Sequence, residues 1–156
     1  MFLVNDTIEQ RQSKIRSFAH RNEPVIAILL AAADFEWTVR RAILALGKSP
    51  TKVIRHRFQQ EKKGGLAAWK EYWKEEVKPR FGTDLASVVP DWEQLYTKSF
   101  PLRHKLIHGA QGIVGSNYAE RTVETILAAS WAVAKFAKDK GEPIYGHSIR
   151  RIKPRQ

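Results

Sequence analysis

At 156 residues, with 43% hydrophobic residues and five tryptophans, the chain has the length and composition of one folded domain rather than a disordered segment. It contains no cysteine, which excludes a disulfide framework, a thiolate metal site and a cysteine nucleophile, and suits a reducing cytosol. Twenty-seven Lys and Arg against sixteen Asp and Glu give a formal charge of +11, a balance that favours a polyanionic partner, most simply nucleic acid.

The longest apolar stretch, Val25 to Ala33, falls far short of the roughly 18 residues that span a bilayer. Met1 to Val4 is too short for the apolar part of a secretory signal, and the charged run Glu9 to Arg16 follows it. The expectation is a cytoplasmic protein without membrane contact.

In chain order, a first helix is expected from Asp6, with Glu9 three residues on as a capping pair, to about Arg21. Pro24 opens a second helix at a position where proline is tolerated. Its apolar residues Val25, Ile28, Leu29, Ala32, Val39, Ile43 and Leu46 recur at helical spacing, and Gly47 and Pro50 stop it. This is the expected core helix. Val53, Ile54 and Phe58 among Lys52, Arg55, His56 and Arg57 suggest a short basic helix, interrupted at Gly64-Gly65. Leu66 to Lys78 resumes with Leu66, Trp69, Trp73 and Val77 on one side, and Pro79 and Gly82 mark a loop. Asp91 to His108 is helix-like, with Pro101 kinking or restarting it. A final long helix is expected from Asn117, paired with Glu120 as a second cap, to the stop at Lys138, Lys140 and Gly141. The reading is all-α, a single-domain bundle of four to five main helices over residues 1–145, followed by a mobile basic tail over 146–156. Strand alternation and internal repeats are absent.

Phosphate-binding glycine loops, the H-E-x-x-H zinc motif and a G-x-S-x-G elbow are all missing. What remains is Arg103-His104-Lys105-Leu106-Ile107-His108. At about 100° per residue, Arg103 and His108 lie roughly 140° apart on a regular helix, whereas His104 and His108 share a face. The histidine pair could hold a divalent metal, but no further ligand stands near it in sequence. The group could equally act on a phosphodiester, which needs an imidazole that titrates near neutrality and a permanently charged guanidinium. His108-Gly109 is also an ordinary helix ending, with a cation at the negative end of the dipole.

Arg103-His104, three residues, then His108 resembles the R-[N, D or H]-x-x-x-H signature of HEPN domains, which lies between a long apolar helix and a last long helix, as Val25–Leu46 and Asn117–Lys140 do here. The resemblance covers most of the chain in layout and about six residues in motif. It implies an endoribonuclease that needs neither metal nor cofactor, with RNA as substrate, working as a homodimer whose two motifs face one cleft. Such proteins are often toxins or antiviral effectors, so an antitoxin or regulatory protein is a further implied partner. Carried over, Arg103 binds the scissile phosphate, His108 acts as general base or acid, and His104 orients the site. The fold is also used without cleavage, which leaves a nucleic-acid-binding or protein-interaction module as the alternative.

Elsewhere, Lys105 could add a phosphate contact, although a solvated helix lysine is the plainer reading. Arg55, Arg57, Lys62 and Lys63, with His56, form a candidate patch for tracking RNA, or a solvated face. Trp69, Tyr72 and Trp73 interleave with lysines as base-stacking residues do, but aromatics at helical spacing are more often core. Asp34 and Glu36 interrupt the most apolar helix, which admits a role beside a cleft. For Glu36 an i, i+4 ion pair with Arg40 is the favoured reading.

Overall fold

A computed structural model describes residues 2–151, and among these every regular element is helical. In chain order the elements are α1 (Ile8–His20), α2 (Pro24–Leu46), α3 (Thr51–Glu61), α4 (Gly65–Glu76), the short α5 (Lys78–Phe81), α6 (Leu85–Val88) and α7 (Trp92–Gln94), α8 (Phe100–Ile107) and α9 (Ser116–Asp139). The all-α bundle expected from the periodicity is present. None of the described helices is long and apolar enough to cross a membrane.

Helix α2 runs through the middle and packs against α1, α3, α4, α8 and α9. It supplies Ile28, Phe35, Ile43 and Leu46 to the core, where they meet Trp73 of α4 and Ile126 and Leu127 of α9. Most of the apolar residues that recur along α2 are therefore buried, and α9 buries Ala119, Val123, Ile126, Leu127 and Ser130. Gly47 ends α2 because nothing larger fits: a Cβ there would lie 2.6 Å from the Ile43 carbonyl oxygen and 2.7 Å from Ile54 Cδ1.

The expected caps are displaced. Thr7, not Asp6, caps α1: its hydroxyl accepts from the Gln10 N–H at 3.2 Å, and Gln10 Oε1 accepts from the Thr7 N–H at 2.8 Å. Asp6 is occupied by the Leu3 N–H at 2.7 Å and Lys14 Nζ at 2.8 Å. Helix α9 begins one residue before Asn117, behind Gly115, with no side-chain cap. Its end follows the sequence reading: Glu142 N–H donates to Ala137 and Gly141 N–H to Lys138, both at 2.9 Å, with Gly141 at φ +81°.

Between α7 and α8, Leu95–Ser99 forms a turn of π-helix, with the Phe100 N–H reaching back to the Leu95 carbonyl. That extra residue puts Pro101 in the first turn of α8, where its missing N–H costs nothing. The proline thus restarts the helix.

The tail is the main departure. Residues 146–151 dock on the junction of α2 and α3: Ile149 is buried, and Arg151 and Thr51 exchange backbone and hydroxyl hydrogen bonds. Arg151 also donates to the Leu44 and Ser49 carbonyls, and Arg41 to those of Ile144 and His147. This stretch is packed on the bundle, where Arg151 satisfies the Leu44 carbonyl that the end of α2 leaves without a helical partner. Residues 152–156 of that tail lie outside the described residues.

Candidate active site

Helix α8 ends at Ile107, and His108 caps it with its N–H on the His104 carbonyl at 3.1 Å. Gly109 then adopts φ +69° and lets the Ala110 N–H return to the Lys105 carbonyl at 2.9 Å. The helix-ending reading of His108-Gly109 is thus correct as local structure. It does not exhaust the residues. The His104 and His108 rings stack obliquely with centroids 4.2 Å apart, and both residues are exposed. Among the described residues neither imidazole hydrogen-bonds a carboxylate or Arg103.

Arg103 turns the other way. Its half-buried guanidinium Nη2 lies 3.8 Å from Glu36 Oε1 on α2. The structure therefore brings the two histidines together and sets Arg103 apart from them, as the roughly 140° divergence on α8 requires. Glu36 sits where α2, α4 and α8 meet. Burial pushes its carboxyl pKa up, opposed by the charge of Arg103 and by the indole N–H of Trp69. The favoured Glu36–Arg40 pair is not formed. Glu36 is drawn into the junction by Arg103, while Arg40 lies over the Phe58 ring, 5.3 Å from its centroid.

Asp34 and Glu36, two residues apart and so about 200° around α2, serve opposite faces. Asp34 is fully buried and pairs with Arg11 of α1, Oδ1 to Nε at 2.5 Å. Burial raises its pKa more than Arg11 lowers it. It belongs to the scaffold rather than to any cleft. Trp69, Tyr72 and Trp73 are likewise core, 8%, 2% and 0% exposed, so they offer no face for stacking a base.

The candidate RNA patch divides. Arg57 is held by Glu61, Glu75 and Glu76, and Lys63 lies near Glu61 and Glu71. Lys62 is exposed, and Arg55 donates to the Ile149 carbonyl at 3.1 Å and has no carboxylate partner. Lys105 is exposed beside a shallow depression shared with Lys98 and Tyr118. Among the described residues no three His, Asp or Glu side chains come together as a metal site would need.

Sequence reading missed the contact of Glu36 with Arg103, which joins residues far apart in the chain. The available signal was a carboxylate in the most apolar helix with no need to be there. No family model, no curated protein and no solved structure matches this chain.

Proposed function

We propose that the chain is a HEPN-like endoribonuclease acting at the end of α8 without a metal or cofactor, as a toxin or antiviral effector would. The observation that carries this reading is the exposed pair of imidazoles, 4.2 Å apart, on the helix that also bears Arg103. His108 removes the 2′-OH proton of the substrate. That oxygen attacks the adjacent phosphorus, the bond to the 5′-oxygen breaks, and the leaving oxygen takes a proton from a second imidazole. Arg103 stabilises the charge on the phosphoryl oxygens. The products are a 2′,3′-cyclic phosphate and a 5′-OH, and DNA, lacking the 2′-OH, resists. His104 orients its neighbour.

A homodimer accords with two features. Arg103 and His108 diverge on one chain, so two copies of the motif facing each other supply what one lacks. Ile107 and Ile113, 49% and 87% exposed, flank the motif and give such a contact an apolar surface.

The test is incubation of purified protein with RNA in excess EDTA. Wild type is expected to cleave and His108→Ala to be inert, with cyclic phosphate ends on the products. Intact RNA with wild type would end the catalytic reading. One observation favours the second reading, a non-catalytic RNA-binding module: Arg103 is directed at Glu36 rather than at the histidines. In that case RNA is bound with steep salt dependence and not cut.

A further inference from the structure

Among the described residues, cations without a carboxylate partner run from Arg40 on α2 to Lys52 and Arg55 on α3 and Arg150 beside it, whereas Arg57 and Lys63 of the same basic run face glutamates. Arg40 stands one helical turn beyond Glu36 on the same face of α2, about 6 Å along the axis. Its guanidinium lies over Phe58, whose ring is fixed edge-on against Trp69 and Tyr72 at 5.3 and 4.8 Å. Among the described residues no carboxylate pairs with it. Burial and then the charge of Arg55 lower its pKa, the direction expected of like charges with no carboxylate paired to either among the described residues.

Arg55 is anchored by the Ile149 carbonyl at 3.1 Å and forms the edge of an open groove between α3 and the docked C-terminal segment. Lys52, His56 and Arg150 line that groove, all three exposed, and no acidic residue lines it. Lys52, Arg55 and His56 share one face of α3 by their i, i+3, i+4 spacing. Arg57, on the other side, is consumed by three glutamates.

We propose that this strip is a phosphodiester-binding track, on which Arg40 and Arg55 with Lys52, His56 and Arg150 hold the backbone of a single RNA strand extending from the α8 site. The like-charged guanidiniums are a cost in the free protein that an anion removes. A strand backbone, with a charge at each residue, fits a row of cations better than one isolated anion does. The identity of the polymer rests on the ribonuclease reading; the position of the track does not.

The experiment is fluorescence anisotropy of the full chain with a labelled 2′-O-methyl oligouridylate, which has no free 2′-OH and cannot be cut. Arg40→Glu/Arg55→Glu is expected to weaken binding at least tenfold. It should also lower the slope of log affinity against log salt by about 0.7 per lost phosphate contact. Lys52→Gln/Arg150→Gln, two exposed positions that the fold does not need, should weaken it severalfold. Lys62→Glu/Lys63→Glu changes net charge as much as the first variant but should cost less than twofold. Equal losses in that control, or none in the first two, would overturn the track. So would competition by a polyglutamate peptide and not by unlabelled oligouridylate, which would assign the groove to an acidic protein. His108→Ala separates the two readings, because it should abolish cleavage of ordinary RNA and leave anisotropy within twofold. Tight binding without cleavage by wild type ends the nuclease and leaves the track; cleavage indifferent to Arg40 and Arg55 does the reverse.

Discussion

Asp34 and Glu36 are the two acidic residues of the most apolar helix, and replacing Asp34 by alanine distinguishes their roles. The Asp34 and Arg11 side chains are 0% and 4% exposed and meet at 2.5 Å, and the guanidinium lies 3.8 Å from the Trp37 ring centroid and 4.3 Å from that of Phe2. Asp34→Ala leaves a buried cation with ring faces and one long contact to the Leu3 carbonyl. Breaking one side of such a pair costs about 3–5 kcal/mol, and the ring faces retain at most about 2 kcal/mol of attraction for the cation, so the lower part of the range is expected, about 3 kcal/mol. At roughly 2–4 °C per kcal/mol for a chain of this size, Tm should fall by about 6–12 °C in calorimetry. Arg11→Met/Asp34→Leu, which removes both charges, should recover most of the loss. Below the lowered transition Asp34→Ala should cleave RNA like wild type. A loss under about 1 kcal/mol, or a folded variant that no longer cleaves, would refute the assignment of Asp34 to the scaffold.

Glu36→Gln removes the anion facing Arg103, and if that contact aims the guanidinium, kcat should fall about tenfold to a hundredfold with little change in KM; unchanged kcat would show that Arg103 is placed otherwise. Gly47→Ala forces a methyl against the Ile43 carbonyl and Ile54 and should cost about 1–3 kcal/mol in urea unfolding, an unchanged midpoint meaning that the α2–α3 corner relaxes. Burial raises the pKa of Tyr72 from 10.0 to about 12 and that of Tyr145 further, so both ionise more readily in the unfolded chain. Their contribution to stability is complete below pH 10 and is lost as pH rises through the folded values. The urea midpoint should drop above pH 10, and Tyr72→Phe/Tyr145→Phe should flatten that drop.

The long elements were legible in the sequence because α2 is apolar nearly all round and α9 buries one stripe against it, and both patterns recur at helical spacing. The caps were not, since Asp6-x-x-Glu9 and Thr7-x-x-Gln10 are overlapping candidates one residue apart. Only the prior claim of Leu3 and Lys14 on Asp6 decides between them. The docked C-terminal segment was hidden for a different reason. Helix α2 carries no basic residue in its last turn, and its final carbonyls are met from a distance by Arg151 at Leu44 and Arg80 at Leu46. Backbone acceptors leave no trace in the residue pattern, so the stretch 146–151, which reads as loose arginines beside Ile149, is in fact a strap. The site was half legible. The shared face of His104 and His108 follows from spacing alone, whereas the partner of Arg103 depends on how α8 meets α2.

The divergence of Arg103 from His108 makes the oligomeric state the quantity that decides the proposed chemistry. No rotation within α8 can put both on one phosphate while Arg103 remains 3.8 Å from Glu36. In the proposed dimer a second copy facing the first would supply the missing partner, with Ile107 and Ile113, exposed beside the motif, as its contact. Ile107→Glu/Ile113→Glu places two charges in that contact and should yield a monomer in sedimentation that keeps its helical circular dichroism, because neither side chain is buried within the chain. Cleavage should disappear with the dimer, and mixing this variant with His108→Ala should not restore it. An active monomer, wild type or variant, would mean that one chain assembles the site by swinging Arg103 away from Glu36. Glu36→Gln should then accelerate cleavage, the opposite of its effect in the dimer.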